Sequence, residues 1–425
     1  MQTPGVYIPR LVDATIDAAL RSSGAVLIEG PKWCGKTWTG MTHARSAVWV
    51  ADPTGDYLTK RLASSDPLAL LKGDQPVLID EWQDAPSLWD AVRLEVDRRP
   101  GPGQYLLTGS ATPRDGVVAH SGAGRIARVT MWPMTLAEAG ASSGSVSLRG
   151  LLNGNTPQTA VGTWKLQDVV NAVLRGGWPG TIGLSLEDAI RLPADYLRAV
   201  AYADASVLDG VRRDPARFMA FLGSLGRNTA TLVQNTTLVR DMAVVDGEDT
   251  STKTVKEYLD VARRLHVLRE IPAWAPALRS PVRLRQSPKR IMCDPSLAAA
   301  GMRATSSSLL ADRKTLGLLF ENICLKDLSV YAKANSAEVY HYRDEAGLEV
   351  DAIVVADDGR WMGVEIKLGD AQVDSAANSL TSLSRKMVAR GEQPPVALVV
   401  VTGHDSFAHR REDGIVVVPV DVLGP

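Results

Sequence analysis

The sequence predicts an α/β protein. A parallel, doubly wound sheet comes first, a helical middle follows, and a second, smaller α/β unit closes the chain. Two observations predict this. From about residue 20 to 135, apolar strand-like runs alternate with helical patterns, the arrangement that buries a parallel sheet between two helix layers. From about residue 311 onward, a helical stretch is followed by several short apolar strands.

The first strand reads Ala25-Val26-Leu27-Ile28, and it runs into Gly30-Pro31-Lys32-Trp33-Cys34-Gly35-Lys36-Thr37. This is G-x-x-x-x-G-K-T between a strand and a helix that begins near Lys36, the context in which the motif carries meaning. Glycines let backbone N–H groups turn toward phosphate oxygens, and a helix N-terminus adds partial positive charge. Lys36 is expected to reach the β and γ phosphates, and the Thr37 hydroxyl to hold Mg²⁺. Cys34 reads as a tolerated small residue rather than a nucleophile. Ala47-Val48-Trp49-Val50-Ala51-Asp52 is a further short strand ending in an acid.

Pro76-Val77-Leu78-Ile79-Asp80-Glu81 is an apolar strand ending in adjacent carboxylates. The carboxyl ends of the strands in a doubly wound sheet border the ligand crevice, so Asp80 is expected to hold Mg²⁺, directly or through water. Glu81 is the candidate general base for an attacking water. Gln104-Tyr105-Leu106-Leu107-Thr108-Gly109-Ser110 is a third strand, with Thr108 and Ser110 as candidate γ-phosphate sensors. In Gly124-Arg125-Ile126-Ala127-Arg128-Val129, an arginine can serve as a finger on a neighbouring subunit's ATP, or it can simply flank a strand at the surface.

Gly140-Ala141-Ser142-Ser143-Gly144-Ser145 and Asn153-Gly154-Asn155-Thr156-Pro157 mark a boundary or insertion. Arg175-Gly176-Gly177-Trp178-Pro179-Gly180 reads as a tight turn between helices, and residues 186–204 as one helix. Short helices occupy residues 214–270. The clearest covers 252–265, with Val255, Leu259, Ala262 and Leu265 at helical spacing and Lys253, Lys256, Arg263 and Arg264 on the exposed side. Val267-Leu268-Arg269-Glu270-Ile271 reads as a strand; Arg283-Leu284-Arg285 and Lys289-Arg290-Ile291-Met292 suggest its partner. Helices followed by a hairpin fit a winged helix-turn-helix, and equally a helical module that packs on the first domain or on a partner.

The last part holds Phe320-Glu321 on a helix, then strands at 338–343, 348–355, 360–367, 395–401 and 414–418. Glu365 and Lys367 are two apart on one strand and so share a face. The Asp358-Gly359 turn would bring Asp351 beside Glu365. Two carboxylates can hold Mg²⁺ while a lysine orients water for phosphodiester cleavage, with Glu321 completing the metal shell. An amphipathic hairpin with alternating charges is the plain alternative.

The chain has 425 residues, 45% apolar and 22% charged, with a net charge of −1. That composition is globular, and its charge points to no polyanionic partner while leaving a local basic patch open. Three cysteines without metal spacing suggest a reducing cytoplasm. No apolar run is long enough for a membrane span, and no signal segment is expected.

Together these residues resemble the prokaryotic AAA-type ATPases that carry a C-terminal domain of unknown function numbered 4143. The match covers nearly the whole chain and also takes in Trp132-Pro133-Met134 and Arg175-Gly176-Gly177-Trp178-Pro179. Asp351 with Glu365-Ile366-Lys367 looks like a PD-(D/E)xK nuclease signature, although Val350 stands where that signature has proline. Trp33 and Cys34 stand where the family more often has small or charged residues. The resemblance implies a P-loop (ASCE/AAA-type) ATPase core at 1–160, a helical lid or linker at 161–210, a winged-helix-like domain at 211–310 and a small restriction-endonuclease-like α/β domain at 311–425. It implies ATP and Mg²⁺ as cofactors. Residues 30–37 with Ser110 would bind nucleotide, and Lys36, Glu81 and Arg125 would act in catalysis. Thr37 and Asp80, and separately Glu321, Asp351 and Glu365, would bind metal. DNA is a possible partner and homo-oligomerisation a possible state. A Mg²⁺-dependent ATPase acting on nucleic acid is the first functional expectation. A nucleotide-switched regulator whose nuclease-like domain only binds is the second, and a toxin–antitoxin or defence component with a protein target is the third.

Overall fold

The computed structural model describes residues 7–112, 120–155, 160–208, 210–246, 250–276 and 286–425. They form two compact units. One comprises Met1–Pro133 with Asp204–Arg212 and Val261–His266; the other comprises Met134–Ala203, Arg213–Asp260 and Val267–Pro425.

The first unit is built on five parallel strands: β1 (Ala25–Glu29), β2 (Ser46–Trp49), β3 (Val77–Asp80), β4 (Tyr105–Gly109) and β5 (Ile126–Thr130), in the order β2-β3-β4-β1-β5. Strand alternation sorts the apolar residues into two cores. Ala25, Leu27, Val77, Ile79, Tyr105 and Leu107 pack with Leu88 and Trp89 of the helix Ser87–Arg98. Val26, Ile28, Leu78 and Leu106 pack with Ile16 of the helix Asp13–Ser22 and with Met41 of the helix Lys36–His43. Burial on both faces explains why these strands read as continuous apolar runs. Because β4 lies between β1 and β3, its carboxyl end separates the phosphate-loop strand from the acidic strand. β2 ends at Trp49, so Asp52 lies beyond the strand that was expected to carry it.

In the second unit, β6 (Val146–Ser147) and a hairpin of β7 (Leu268–Ile271) and β8 (Lys289–Met292) precede a six-stranded sheet. That sheet contains β9 (Ala337–Arg343), β10 (Glu349–Ala356), β11 (Trp361–Lys367), β12 (Ala397–Thr402), β13 (His409–Arg410) and β14 (Val416–Pro419), in the order β13-β14-β12-β11-β10-β9. β9, β10 and β11 are antiparallel neighbours, whereas β12 joins β11 in parallel after the helix Val373–Ala389. That helix buries Leu380, Leu383 and Met387 against Ile353, Trp361 and Val400. The 22-residue helix Arg313–Ala334 packs on β9, β10 and β11. β15 (Leu423–Gly424) returns to pair with β6.

Three helices, Pro215–Arg227, Asn235–Asp246 and Thr252–Arg264, precede the β7–β8 hairpin. Arg283-Leu284-Arg285, expected in this hairpin, and Thr156-Pro157 lie outside the described residues. The helix expected over 186–204 is broken into Leu186–Ala189 and Arg191–Ala199, with a wider turn at Val200–Asp204. The Gly-Gly-Trp-Pro turn is pinned from a distance in sequence. Gly177 N donates to Asp294 (2.9 Å), Trp178 Nε1 donates to Ser296 Oγ (2.9 Å), and Gly176 sits at φ +69°. Fully buried Phe218 packs on Phe221 and Tyr258, with ring centroids 5.7 and 5.1 Å away. Phe218→Ala is expected to destabilise the protein by about 3–5 kcal/mol in urea unfolding; a loss below about 1 kcal/mol would contradict the packing described.

Candidate functional site

The phosphate loop joins β1 to the helix Lys36–His43. Gly30 is required by space, since a Cβ there would fall 2.1 Å from Met131 O. Gly35 caps the helix at φ +103°, in the left-handed region that favours glycine. Trp33 also takes positive φ and is 56% exposed. Arg10 clamps the loop from outside the motif, donating to Cys34 O (2.8 Å) and Trp132 O (2.9 Å). Cys34 is buried and free, which fits a packing role. Lys32 Nζ pairs with Asp204 at 2.6 Å. Lys36 is only 4% exposed, and its Nζ donates to Pro31 O at 2.8 Å.

The expected partners converge on this loop. Asp80 Oδ1 accepts from Thr37 Oγ1 (2.8 Å) and from Thr108 Oγ1 (2.7 Å). Burial raises the pKa of Asp80 against the two hydroxyl donors. Thr108 Oγ1 also accepts from Glu81 N (3.0 Å). Glu81 sits at φ +55°, an uncommon conformation for a residue with a side chain. Its Oε2 accepts from Ser110 Oγ (2.8 Å) and from Gln83 Nε2. Thr37, Asp80, Glu81, Thr108 and Ser110 thus meet at the carboxyl ends of β1, β3 and β4. Gln83, Arg10 and Asp204 were not singled out from the sequence. The first sits within the acidic turn; the other two are far from it in sequence and carry no local signal.

The arginines stand elsewhere. Arg125 O accepts from Ala25 N, so Arg125 is at the amino end of β1, the opposite end of that strand from Gly30. Its Nε donates to Asp97 (2.8 Å). Arg128 pairs with Glu29 (3.0 Å) and lies over the Trp89 ring. Neither reaches the phosphate loop of its own chain.

The expected basic face of the helix Thr252–Arg264 is corrected. Lys253 and Lys256 are exposed, but so are Glu257 and Asp260, while Arg263 and Arg264 are half-buried and Arg264 Nε donates to Thr112 O (3.0 Å). Its exposed side carries balanced charge.

The second expected cluster forms as the hairpin register requires. Ala352 pairs with Val364, which sets Asp351 beside Glu365. Lys367 Nζ is 2.5 Å from Glu365 Oε2 and 3.1 Å from Asp351 Oδ2, and Glu321 joins from its helix. Lys289 enters the expected metal shell of Glu321, Asp351 and Glu365 from β8. Its Nζ lies 2.7 Å from Glu321 Oε1 and 3.6 Å from both Asp351 Oδ1 and Glu349 Oε1. Among the described residues, no group of three carboxylate, histidine or cysteine side chains is arranged to hold a metal ion. Burial, then the charge of Asp351, pushes Glu365 up to about 9 and Glu321 to about 7. Burial would also raise Asp351, but the charges of Lys289 and Lys367 outweigh it and hold that carboxyl low.

Three family models match successive stretches: an AAA domain over residues 22–140, a domain of unknown function (DUF8612) over 166–308, and a domain of unknown function (DUF4143) over 316–423. The chain is similar to the uncharacterized proteins Mb2031c of Mycobacterium bovis and Rv2008c of Mycobacterium tuberculosis. Each is 27% identical over 414 residues, which is 96% of this chain and 83% of theirs. Among solved structures, the Walker-type ATPase paby2304 of Pyrococcus abyssi aligns at TM-score 0.40 and 12% identity, covering 68% of this chain and 94% of that one. The Pyrococcus furiosus Hef helicase domain aligns at TM-score 0.21 and 10% identity, covering 93% and 89%. The AAA domain model therefore spans the phosphate loop and the acidic pair, and the DUF4143 model spans the six-stranded sheet. No helix among the described residues is long and apolar enough to cross a membrane.

His341, on β9 beside the second cluster, gives a pH test. It is fully buried, and its Nε2 lies 3.2 Å from Ser287 O. Burial first, then the charge of Lys289, pushes the imidazole down to about 4. An unfolded histidine titrates near 6.5, so the unfolded chain gains this proton first as the pH falls. The neutral ring therefore contributes stability above about pH 6.5 that is lost toward about pH 4, at most roughly 3 kcal/mol. Urea unfolding at stepped pH should give a shallower profile for His341→Gln than for the wild type across that window. Equal slopes would contradict the buried neutral state.

Proposed function

We propose that this chain binds and hydrolyses ATP with Mg²⁺. The observation that carries the reading is the shared Asp80 oxygen, which accepts from both Thr37 and Thr108 beside a buried Lys36. The residues fit a metal and a phosphate chain. Thr37 and Asp80 offer adjacent hard oxygens, the donors Mg²⁺ prefers. Gly30 leaves room that a side chain would fill, and Lys36 holds only a backbone carbonyl that a phosphate oxygen can replace. Bound Mg²⁺ would offset phosphate charge. Lys36 and the loop amides bind and orient the β and γ phosphates. Glu81 takes the proton of the attacking water at its carboxylate, while Ser110 and Gln83 fix where that carboxylate points. A role for Arg125 in trans would require its release from Asp97.

Coupling to nucleic acid through a winged helix is supported by the three helices and the β7–β8 hairpin, and opposed by the balanced charge of the helix Thr252–Arg264. For the carboxyl-terminal domain, the reading of a nuclease-like fold that binds without cleaving is favoured by Lys289, which already compensates the acids. On this account the chain is an ATPase whose other parts act as a binding or regulatory module.

Lys36→Ala is expected to lose ATP binding in equilibrium titration. Glu81→Gln should bind ATP as the wild type does and lose turnover about 100-fold or more. Wild-type turnover in Glu81→Gln would remove the role given to that carboxylate.

A further inference from the structure

We propose that Lys289 is a tethered cation that fills the position of a divalent ion in the carboxyl-terminal cluster, and that β8 is therefore a plug. The cluster takes up a divalent cation only when this ammonium is withdrawn. The inference deepens the binding-only reading of the domain, and its test uses neither ATP nor DNA, so either can fail alone.

The geometry carries it in three steps. First, Lys289 is 1% exposed and its Nζ faces three carboxylates, Glu321 from the helix Arg313–Ala334 and Glu349 and Asp351 from β10. A lysine serving one structural ion pair needs one acid. Second, Asp351 is divided between two ammoniums, Lys289 at Oδ1 (3.6 Å) and Lys367 at Oδ2 (3.1 Å). Without Lys289, Glu321, Glu365 and Asp351 would be left with Lys367, while the more exposed Glu349 keeps Arg343 at 4.0 Å. Unpaired buried carboxylates are costly, so the vacated position would demand another cation. An ammonium and a divalent ion cannot share it, since like charges at such range repel strongly in a poorly solvated setting. Third, a cavity of about 480 Å³ reaches the cluster from outside, lined by Arg313, Lys314, Glu321, Ile366, Lys367 and Gln372. A hydrated ion has a route in.

β8 itself is buried and held by Ala230 N on Arg290 O (2.7 Å) and by Asn322 Nδ2 on Met292 O (2.9 Å). Trp274 N donates to His341 O (2.7 Å) and His341 N to Pro272 O (2.9 Å), which joins the chain after β7 to β9. Gln286 Nε2 donates to Arg343 O (2.6 Å) just before β8.

The test is Mn²⁺ binding to the full chain without nucleotide, followed by the electron paramagnetic resonance of free Mn²⁺. Wild type should show no Mn²⁺ binding that depends on Asp351. Lys289→Met should bind a single Mn²⁺, lose it when Asp351→Asn is added, and melt about 3 °C higher at Mn²⁺ a hundredfold above its Kd. Asp351-dependent Mn²⁺ binding by wild type, within about threefold of the variant's affinity, would overturn the proposal. So would a folded Lys289→Met that binds none, which would make the lysine a structural ion partner only. If Lys289→Met does not fold, Lys289→Met with Glu321→Gln removes one charge of each sign. Asp351-dependent Mn²⁺ on that protein supports the plug, and its absence overturns it.

Discussion

One carboxylate oxygen organises the nucleotide site. Asp80 Oδ1 accepts hydroxyl bonds from Thr37, at the start of the helix after β1, and from Thr108, at the end of β4. It therefore ties together the carboxyl ends of three neighbouring strands. The strand order makes this possible, because β4 lies between β1 and β3. Glu81 then follows directly. Its backbone N–H is held by the same Thr108 hydroxyl, and its carboxylate is aimed by Ser110 and Gln83. A buried carboxylate needs such donors, and here they are the groups that a phosphate and a metal would use.

The second cluster solves a similar problem by different means. Hydroxyls surround Asp80, whereas ammoniums surround Asp351. At an effective dielectric near 20, a unit pair at about 4 Å gains roughly 4 kcal/mol, which is comparable to the desolvation of the ions involved. Such a network contributes little net stability. What it fixes is register: Lys289 binds β8 to the helix Arg313–Ala334 and to β10, and Lys367 binds β11 to β10.

The parallel sheet was legible because its strands are buried on both faces and punctuated by glycines and acids at their carboxyl ends. Thr37 could be read from the phosphate-loop motif, and Asp80, Glu81, Thr108 and Ser110 because each sits at the end of an apolar run. The pairing of Asp351 with Glu365 followed from the Asp358-Gly359 turn and a period of two. Lys289 could not be read this way. It lies 32 residues before Glu321 and 62 before Asp351, on a strand with no motif, and only tertiary packing brings it to the acids. The basic face of the helix Thr252–Arg264 failed for the opposite reason. Counting cations on one side ignored Glu257 and Asp260, and it could not foresee Thr112 beside Arg264.

If Asp80 is the metal-side anchor of the nucleotide, its removal should uncouple Mg²⁺ from ATP without emptying the loop, since Lys36 and the backbone amides remain. The most direct measurement is ATP affinity by calorimetry in Mg²⁺ and in EDTA, for wild type and for Asp80→Asn. The account predicts that Mg²⁺ tightens ATP binding to the wild type about tenfold or more, and that Asp80→Asn binds ATP nearly equally in both buffers. The same Mg²⁺-dependent gain in Asp80→Asn would contradict it.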